Sequence, residues 1–503
     1  MRYRYDNQRT VVTLGGLVHL RLQIRRCETP GCQHHRRPYR PEGEGSLVLP
    51  QHEFGLDIIA LIGALRYREH KSVPEMHGVL RERGVVIAER TVTNLLDRYD
   101  ELMATSLADD DRLRVALVGQ GRVILALDGL QPDVGHEVLW VVRECLSGEV
   151  LLARSLLSST SEDLAALLRE VAAKVGVPVT GVISDGQHSV RRAVRLALPG
   201  VPHQLCQFHY LREAAHPIFE ADRHAKKELK KRIRGVRPIE RAVEDRDDAE
   251  ARGVRGYCAA VRSAITDDGQ PPLAASGLRL EGRLKAVVAS LDWVAEKGGL
   301  TRLLQRLRRL ITNALGHTRD LWPDIRRAYS WVHHAARILN NEAGLDAAAV
   351  ARRFAGLIAA IARHRARAGT LAGAVDHFLK VTRSYRPGLF HSYAVAGLPR
   401  TNNDLERLFG AHRRHERRAT GRKTASPGIV LRGPVRLVAA ALTRLRRYEA
   451  RDLALTDRRQ WREVRHGLEQ RRRSRVLRCR FRRDPQAFLS AIEHQLCQPA
   501  LPV

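Results

Sequence analysis

The chain has 503 residues, room for about three domains of 100–200 residues each, and its 44% hydrophobic content excludes global disorder. No window approaches the roughly 18 unbroken apolar residues of a membrane-spanning helix, and Met1-Arg-Tyr-Arg-Tyr lacks the apolar stretch of a secretory signal. The formal charge of +31, from 86 Lys and Arg against 55 Asp and Glu, suits a polyanionic partner, because cations that neutralise phosphates release condensed counterions. A GC-rich genome also raises Arg, but it does not explain the shortage of acids. The expected location is the cytoplasm, on DNA. Seven cysteines, at 27, 32, 145, 206, 258, 479 and 497, are too few and too scattered for a disulfide framework and imply a reducing compartment.

Residues 1–50 read as short strands and turns. They carry Cys27-x4-Cys32 followed by His34 and His35, thiolate and imidazole groups at a spacing that can hold Zn2+ in a zinc-ribbon-like region. The plain alternative is a reduced Cys pair in a small hairpin with two solvated histidines.

Residues 51–110 read as helical. Ser72-Val-Pro-Glu75 fits a capping box with Pro in the first turn. A helix from Val73 to about Arg83 should end at Gly84, Val85-Val-Ile87 should turn, and a second helix should begin near Glu89. That is the helix-turn-helix pattern, with Arg90, Thr91, Thr93, Asn94 and Arg98 as candidate DNA contacts. An ordinary helical hairpin is the competing reading.

From Arg122 the pattern changes. Val123–Leu127 is a continuous apolar run ending in Asp128-Gly129. Val138–Val142 and Val150–Leu156 are two more runs, joined through Ser147-Gly148. Glu162–Val175 has a helical period, with Ser161 as a cap. Val179–Ile183 is a fourth strand ending in Ser184-Asp185-Gly186, His188–Leu198 is helical, and His203 opens a short fifth strand. The order βββαβαβ is RNase H-like and predicts a mixed five-stranded sheet with helices on both faces, over residues 118–215. Residues 216–395 read as an all-helical insertion, basic and broken at Pro238, Pro271-Pro272 and Pro387. Its cluster of Lys226, Lys227, Lys230, Lys231 and Arg232 is either a solvated face or the lining of a DNA channel. Residues 396–430 return to the core with one helix. Residues 431–503 form a basic helical C-terminal region. Within it, Arg458–Arg483 is Arg-dense, with Trp461 and Phe481 as apolar anchors, and is either a solvated helix or a surface for DNA or a second subunit.

Phosphodiester chemistry with two cations about 3.5–4 Å apart needs several acids brought together, and Mg2+ or Mn2+ takes carboxylate oxygens. Asp128 and Asp185 end strands that are neighbours in this order, each followed by Gly, which permits a sharp turn. The third acid should come from the helix in Thr401-Asn-Asn-Asp-Leu-Glu406-Arg-Leu-Phe-Gly-Ala-His-Arg413-Arg-His-Glu-Arg417. There Thr401 or Asn402 caps, and Glu406, Arg413 and Arg417 share one face at about 100° per residue. Leu405, Leu408, Phe409 and His412 give a face that can pack on the sheet. Asp404 and Glu416 compete with Glu406 but sit less well on the line of cations.

Three segments, VILALDGLQPDVGHEVLWVVRE, GVISDGQHSVRRAV…PHQLCQFHYLREA and LPRTNNDLERLFGAHRRHERRATGRK, together resemble bacterial insertion-sequence transposases of the Mutator-like DDE group. The resemblance implies metal ligands at Asp128, Asp185 and Glu406, an RNase H-like core, and a helical insertion between the second Asp and the Glu. It also implies a C-x2-H pair near the active site at Cys206 and His209, whose role it leaves unassigned. The activity implied is metal-dependent DNA cleavage and strand transfer at the ends of a mobile element. The partners implied are double-stranded DNA, both terminal inverted repeats and target, and further copies of the chain in a homodimer or larger assembly. Two rivals stand beside this: an RNase H-like nuclease or resolvase, and a transposase-derived DNA-binding protein without activity.

Overall fold

The computed structural model describes residues 1–107, 114–115, 117–131, 137–421, 427–445, 447–454 and 458–497. The last two residues of the third segment of resemblance, 422 and 423, lie outside these. The chain is mixed α/β and mostly helical, and it forms two compact units. The first comprises residues 1–180, 189–201 and 403–503, and the second comprises 181–188 and 202–402.

The first unit begins with a long hairpin, not the short strands expected. β1 (Arg2–Thr13) and β2 (Gly16–Arg26) run antiparallel from Thr13↔Gly16 back to Arg2↔Arg26. A two-residue β3 (Pro38–Tyr39) adds to the edge of β2. The hairpin alternates exposed and inward residues along most of its length, and this obscures its boundaries in a composition dominated by Arg. A short α1 (Glu44–Leu47) follows. Next, α2 (Leu56–Tyr67) is apolar almost all round and buried on nearly every side.

Ser72 caps α3 (Val73–Glu82) as its sequence predicts: the Ser72 amide donates to Glu75 Oε2 at 2.7 Å, and Pro74 lies in the first turn. The chain leaves α3 through Gly84 at φ +78° and enters α4 (Glu89–Leu107). Val92, Leu95, Leu96 and Tyr99 form the buried stripe of α4.

The central sheet is mixed and five-stranded, in the order β6-β5-β4-β7-β8. Its strands are β4 (Val123–Leu130), β5 (Val138–Glu144), β6 (Val150–Leu156), β7 (Val179–Ser184) and β8 (His203–Leu205). Between them lie α5 (Ser161–Val175) and α6 (His188–Ala197). The β4–β5 and β5–β6 pairs are antiparallel and β7–β8 is parallel. The first five residues of β4 are all buried, as a strand covered on both faces requires. The cap of α5 is Thr160, not Ser161: Thr160 Oγ1 accepts the Asp163 amide at 3.1 Å, and the Asp163 carboxylate reaches back.

The second unit is helical after β8. It contains α7 (Gln207–Ala214), α8 (His216–Arg232), α9 (Val236–Arg241), α10 (Ala249–Thr266), α11 (Ser276–Gly298), α12 (Arg302–Thr318), α13 (Trp322–Asn340), α14 (Ala347–His364) and α15 (Ala372–Tyr385). One apolar core runs through it, with Tyr210, Phe354, Phe378 and Tyr385 as its aromatic centre. Pro238 does not break a helix. It lies in the first turn of α9, where a missing N–H costs nothing. Lys226 of the predicted basic cluster is buried and paired to Asp268 at 3.0 Å, whereas Lys227, Lys231 and Arg232 are exposed.

The first unit is completed by α16 (Asn403–Thr420), α17 (Pro427–Leu445), α18 (Arg458–Arg483) and α19 (Pro485–Cys497). Trp461 is buried as an anchor of α18, but Phe481 is 44% exposed and stacks edge-on only with Phe488 of α19. Among the described residues no helix is long and apolar enough to cross a membrane.

Gly63 of α2 lets α4 pack directly against it: an added Cβ would lie 2.2 Å from the Tyr99 ring of α4. Ala is the better helix former by about 1 kcal/mol, yet Gly63→Ala is expected to destabilise the protein by about 1–3 kcal/mol through overpacking. Urea denaturation measures the sign.

Candidate functional site

In the first unit, Asp128 lies inside β4, two residues before its end, and pairs across the sheet with Val141. The strand does not turn at Gly129. A Cβ there would stand 3.0 Å from Val138 and 3.3 Å from the Trp140 ring, a tight fit that favours glycine. The Gly129 amide donates to Asp128 Oδ1 at 2.8 Å, and Asp128 is half-buried.

The helix α16 packs beside β4. Leu405, Phe409 and His412 are buried and Leu408 is half-buried, the inward face expected of it. Glu406 is half-buried next to Leu405, while Arg413 and Arg417 are exposed. The two competing acids have other partners. Asp404 is exposed near Arg143 (4.0 Å) and Arg407 (3.7 Å). Glu416 is buried and bound by two arginines.

In the second unit, Asp185 follows β7 directly, half-buried, and its Oδ1 accepts the Gln187 amide at 3.0 Å. Here the glycine does turn: Gly186 has φ +91°, and a Cβ on it would meet the Tyr385 ring at 2.8 Å. The Tyr385 hydroxyl stands 2.7 Å from Glu213 Oε2 and 3.1 Å from the Asp185 carbonyl oxygen. With one proton to give, it binds the carboxylate and braces the Asp185 backbone. Sequence reasoning missed Tyr385, 200 residues from Asp185 in a helix with no motif of its own, and Glu213, which lies inside the second segment of resemblance but was given no role there.

Cys206 is fully buried at the start of α7. Its amide donates to the Ser184 carbonyl at 2.8 Å, and its sulfur accepts the Asn402 amide at 3.3 Å. This contact is structural: it ties the end of β8 to the residue preceding α16. His209 is half-buried one turn on, its ring 6.2 Å from that of Phe208.

The sequence also gave no sign of a buried ionic network behind α16. Arg66 of α2 reaches Glu416 at 3.2 Å, and Arg436 of α17 lies 3.5 Å from both Glu416 and Asp100. The Tyr67 hydroxyl donates to Asp100 at 2.5 Å. Arg432 bridges Asp97 (3.1 Å) and Glu101 (3.2 Å), and Arg98 binds Glu101 at 2.6 Å. Arg98 is therefore held within the protein, its side chain only 15% exposed. Of the other predicted DNA contacts, Arg90, Thr93 and Asn94 are exposed and Thr91 is half-buried.

At the N-terminal cysteines, Cys27 and His35 form an isolated bridge, and Cys32 Sγ accepts the His34 amide at 3.4 Å. A backbone hydrogen bond from Thr29, helped by the side chains of Thr29 and Cys32, holds the Cys27 thiol below its ordinary value. His35 Nδ1 stands 3.1 Å from the Thr29 carbonyl, to which it donates. His34 is exposed. Among the described residues no three His, Cys, Asp or Glu side chains are gathered as a metal-binding group. No family model and no curated protein matches the chain.

The ionic network generates a pH dependence. Burial holds His412 down to about 4, against 6.5 for a free histidine. Between those values the unfolded chain takes up a proton that the folded one refuses. Stability is therefore lost as pH falls through this window, by about 2 kcal/mol at pH 5 for His412. Burial lowers His52 and His415 as well, to about 4 and about 3. Asp100 works in the opposite sense, since burial raises it to about 6 from 3.8, so its contribution grows on acidification. Burial also lowers His70 and raises Asp222, so with four histidines against two carboxyls the unfolding midpoint is expected to fall between pH 7 and pH 5. His412→Gln should flatten that slope in a series of urea titrations.

Proposed function

We propose that this chain is a DNA transposase of the DDE type, built on an RNase H-like core and acting at the ends of its own mobile element. The observation that carries the reading is the sheet order β6-β5-β4-β7-β8, with Asp128 on β4 and Asp185 immediately after the neighbouring β7. Glu406, on a helix that packs beside β4, supports it further. Adjacent strands with an acid at or near each end, plus a carboxylate from a late helix, are what two-cation phosphodiester chemistry asks of a fold.

The donor set has the chemistry of a hard-cation site, since all three groups are carboxylates and each is half-buried, although among the described residues no such side chains are gathered into one metal-binding group. Asp128, Asp185 and Glu406 would hold Mg2+ or Mn2+, which when bound supplies Lewis acidity to the attacking and leaving oxygens of a phosphodiester. The protein's own contribution is positioning. Tyr385 and Gly186 fix the turn that presents Asp185. The packing of Leu405 and Phe409 fixes α16, so Glu406 is presented on a rigid helix. The exposed Arg413 and Arg417, on the same helix, bind DNA phosphates. A second copy of the chain would bring the other element end.

Sequence recognition falls to α3, the Gly84 turn and α4 as a helix-turn-helix, with Arg90, Thr93 and Asn94 at the exposed N-terminal end of the recognition helix and Thr91 beside them. Arg98 supports that helix from within. The N-terminal hairpin region would add a second contact to the terminal repeat; its Cys27, Cys32, His34 and His35 have the chemistry of zinc donors but are not gathered as a metal-binding group among the described residues.

Two measurements test this reading. Labelled DNA from the edges of the gene's own locus, incubated with protein and Mg2+, is expected to be nicked at a defined end and joined to plasmid. Asp128→Ala, Asp185→Ala and Glu406→Gln should each abolish both products. Cleavage that survives Asp185→Ala contradicts the assignment, and binding without cleavage by the unaltered protein favours the inactive DNA-binding reading. In binding titrations, Arg90→Ala is expected to weaken end recognition by about 1–3 kcal/mol. Arg98→Ala should chiefly lower stability.

A further inference from the structure

The second unit contains a cavity of about 510 Å3, within the range of small-ligand sites. Its wall is formed by Phe208 and Leu211 on α7 and Ala336 and Leu339 on α13. Arg337 and Arg400 stand among its polar lining, and none of the lining residues is acidic. Leu211 and Leu339 are buried, Phe208 and Ala336 are half-buried, and both arginines are exposed. Arg212 lies over the Phe208 ring at 5.9 Å from its centroid, leaving the opposite face for stacking. A hollow with the Phe208 and His333 rings, an apolar wall and two cations is a selective environment. It rewards a flat apolar body that carries negative charge at one end.

The arginines differ in their fixing. Arg400 Nη1 donates to the Leu339 carbonyl at 3.1 Å and to Asn340 Oδ1 at 3.2 Å. One nitrogen thus anchors the guanidinium at the end of α13, beside the Tyr393 hydroxyl that Arg400 also meets, and the exposed fork can still offer an N–H to an anion. Arg337 projects from the same helix, one turn earlier. Preorganised donors of this kind lower the ordering cost of binding.

We propose that this cavity takes a single nucleotide, its base stacked against Phe208 in the apolar hollow and its phosphate on Arg337 and Arg400. Stacking on an aromatic side chain tolerates any base, because every base has a π-face. The same chemistry is offered by a free nucleoside monophosphate and by one nucleotide unstacked from a DNA strand. The DNA source rests on the function proposed above, whereas the free source does not.

The test uses the full chain in EDTA, so that it is independent of cleavage. Calorimetric titration with adenosine 5′-monophosphate reads the free source. The fluorescence of a 2-aminopurine placed within locus-edge DNA reads the unstacked one. Heat of binding, a rise in fluorescence on binding, or both, are expected from the unaltered protein. Arg337→Ala should weaken the response about tenfold, the loss of one charge-assisted contact, and Ala336→Trp should abolish it by filling the hollow. Arg337 is exposed, so its variant remains informative if Ala336→Trp fails to fold. The absence of both signals, or signals that Arg337→Ala leaves unchanged, overturns the proposal. Failure of this test leaves the cleavage experiment untouched, and failure of cleavage leaves the titration with nucleotide readable.

Discussion

The arrangement of the first unit depends on how its buried carboxylates are neutralised. Asp100, Glu101 and Glu416 are almost fully removed from solvent, and an isolated buried charge costs several kcal/mol. Each is met by an arginine from another helix, Arg66 on α2 or Arg432 and Arg436 on α17, and Glu101 also by Arg98 of its own helix α4. Removing one partner from such a cluster costs about 3–5 kcal/mol, because the remaining charge is stranded. The network therefore fixes geometry more firmly than it adds net stability. It also gives part of the arginine excess a use inside the protein.

That constraint bears on the candidate site through α16. One end of this helix presents Glu406 beside β4, and the other is bound through Glu416 to α2 and α17. The helices proposed to read DNA and the helix carrying the third carboxylate thus share one set of ion pairs. In the second unit the comparable device is smaller. Tyr385 packs on Gly186 and bonds Glu213, so the turn carrying Asp185 is held by a helix end some 200 residues away in sequence.

Local patterns were legible wherever one physical rule dominated. The continuous apolar runs gave the strands of the central sheet in their order, and Ser72-x-x-Glu75 gave a helix start to the residue. The inward stripe of α16 followed from its periodicity. What failed needed long-range information. Asp128-Gly129 has the composition of a turn, but close packing by Trp140 explains the glycine and the strand continues to Leu130. Arg98 had the residue type and position of a DNA contact, yet Glu101 holds it. Phe481 had the chemistry of an anchor, but among the described residues it stays 44% exposed, with its ring against Phe488 of α19. The buried ion network carries no local signature, since Arg66 lies 350 residues from its partner Glu416 and each member reads as a surface charge.

The central claim is that Asp128, Asp185 and Glu406 hold the same cations, and iron-directed self-cleavage of the protein tests it without DNA. Fe2+ with ascorbate, placed in the Mg2+ site, cuts the backbone nearest to it. The account predicts peptide fragments ending near residues 128, 185 and 406 together, suppressed by excess Mg2+ and lost as a set in Asp185→Ala. Cutting near only one of the three, or a pattern that Asp185→Ala leaves unchanged, would contradict it.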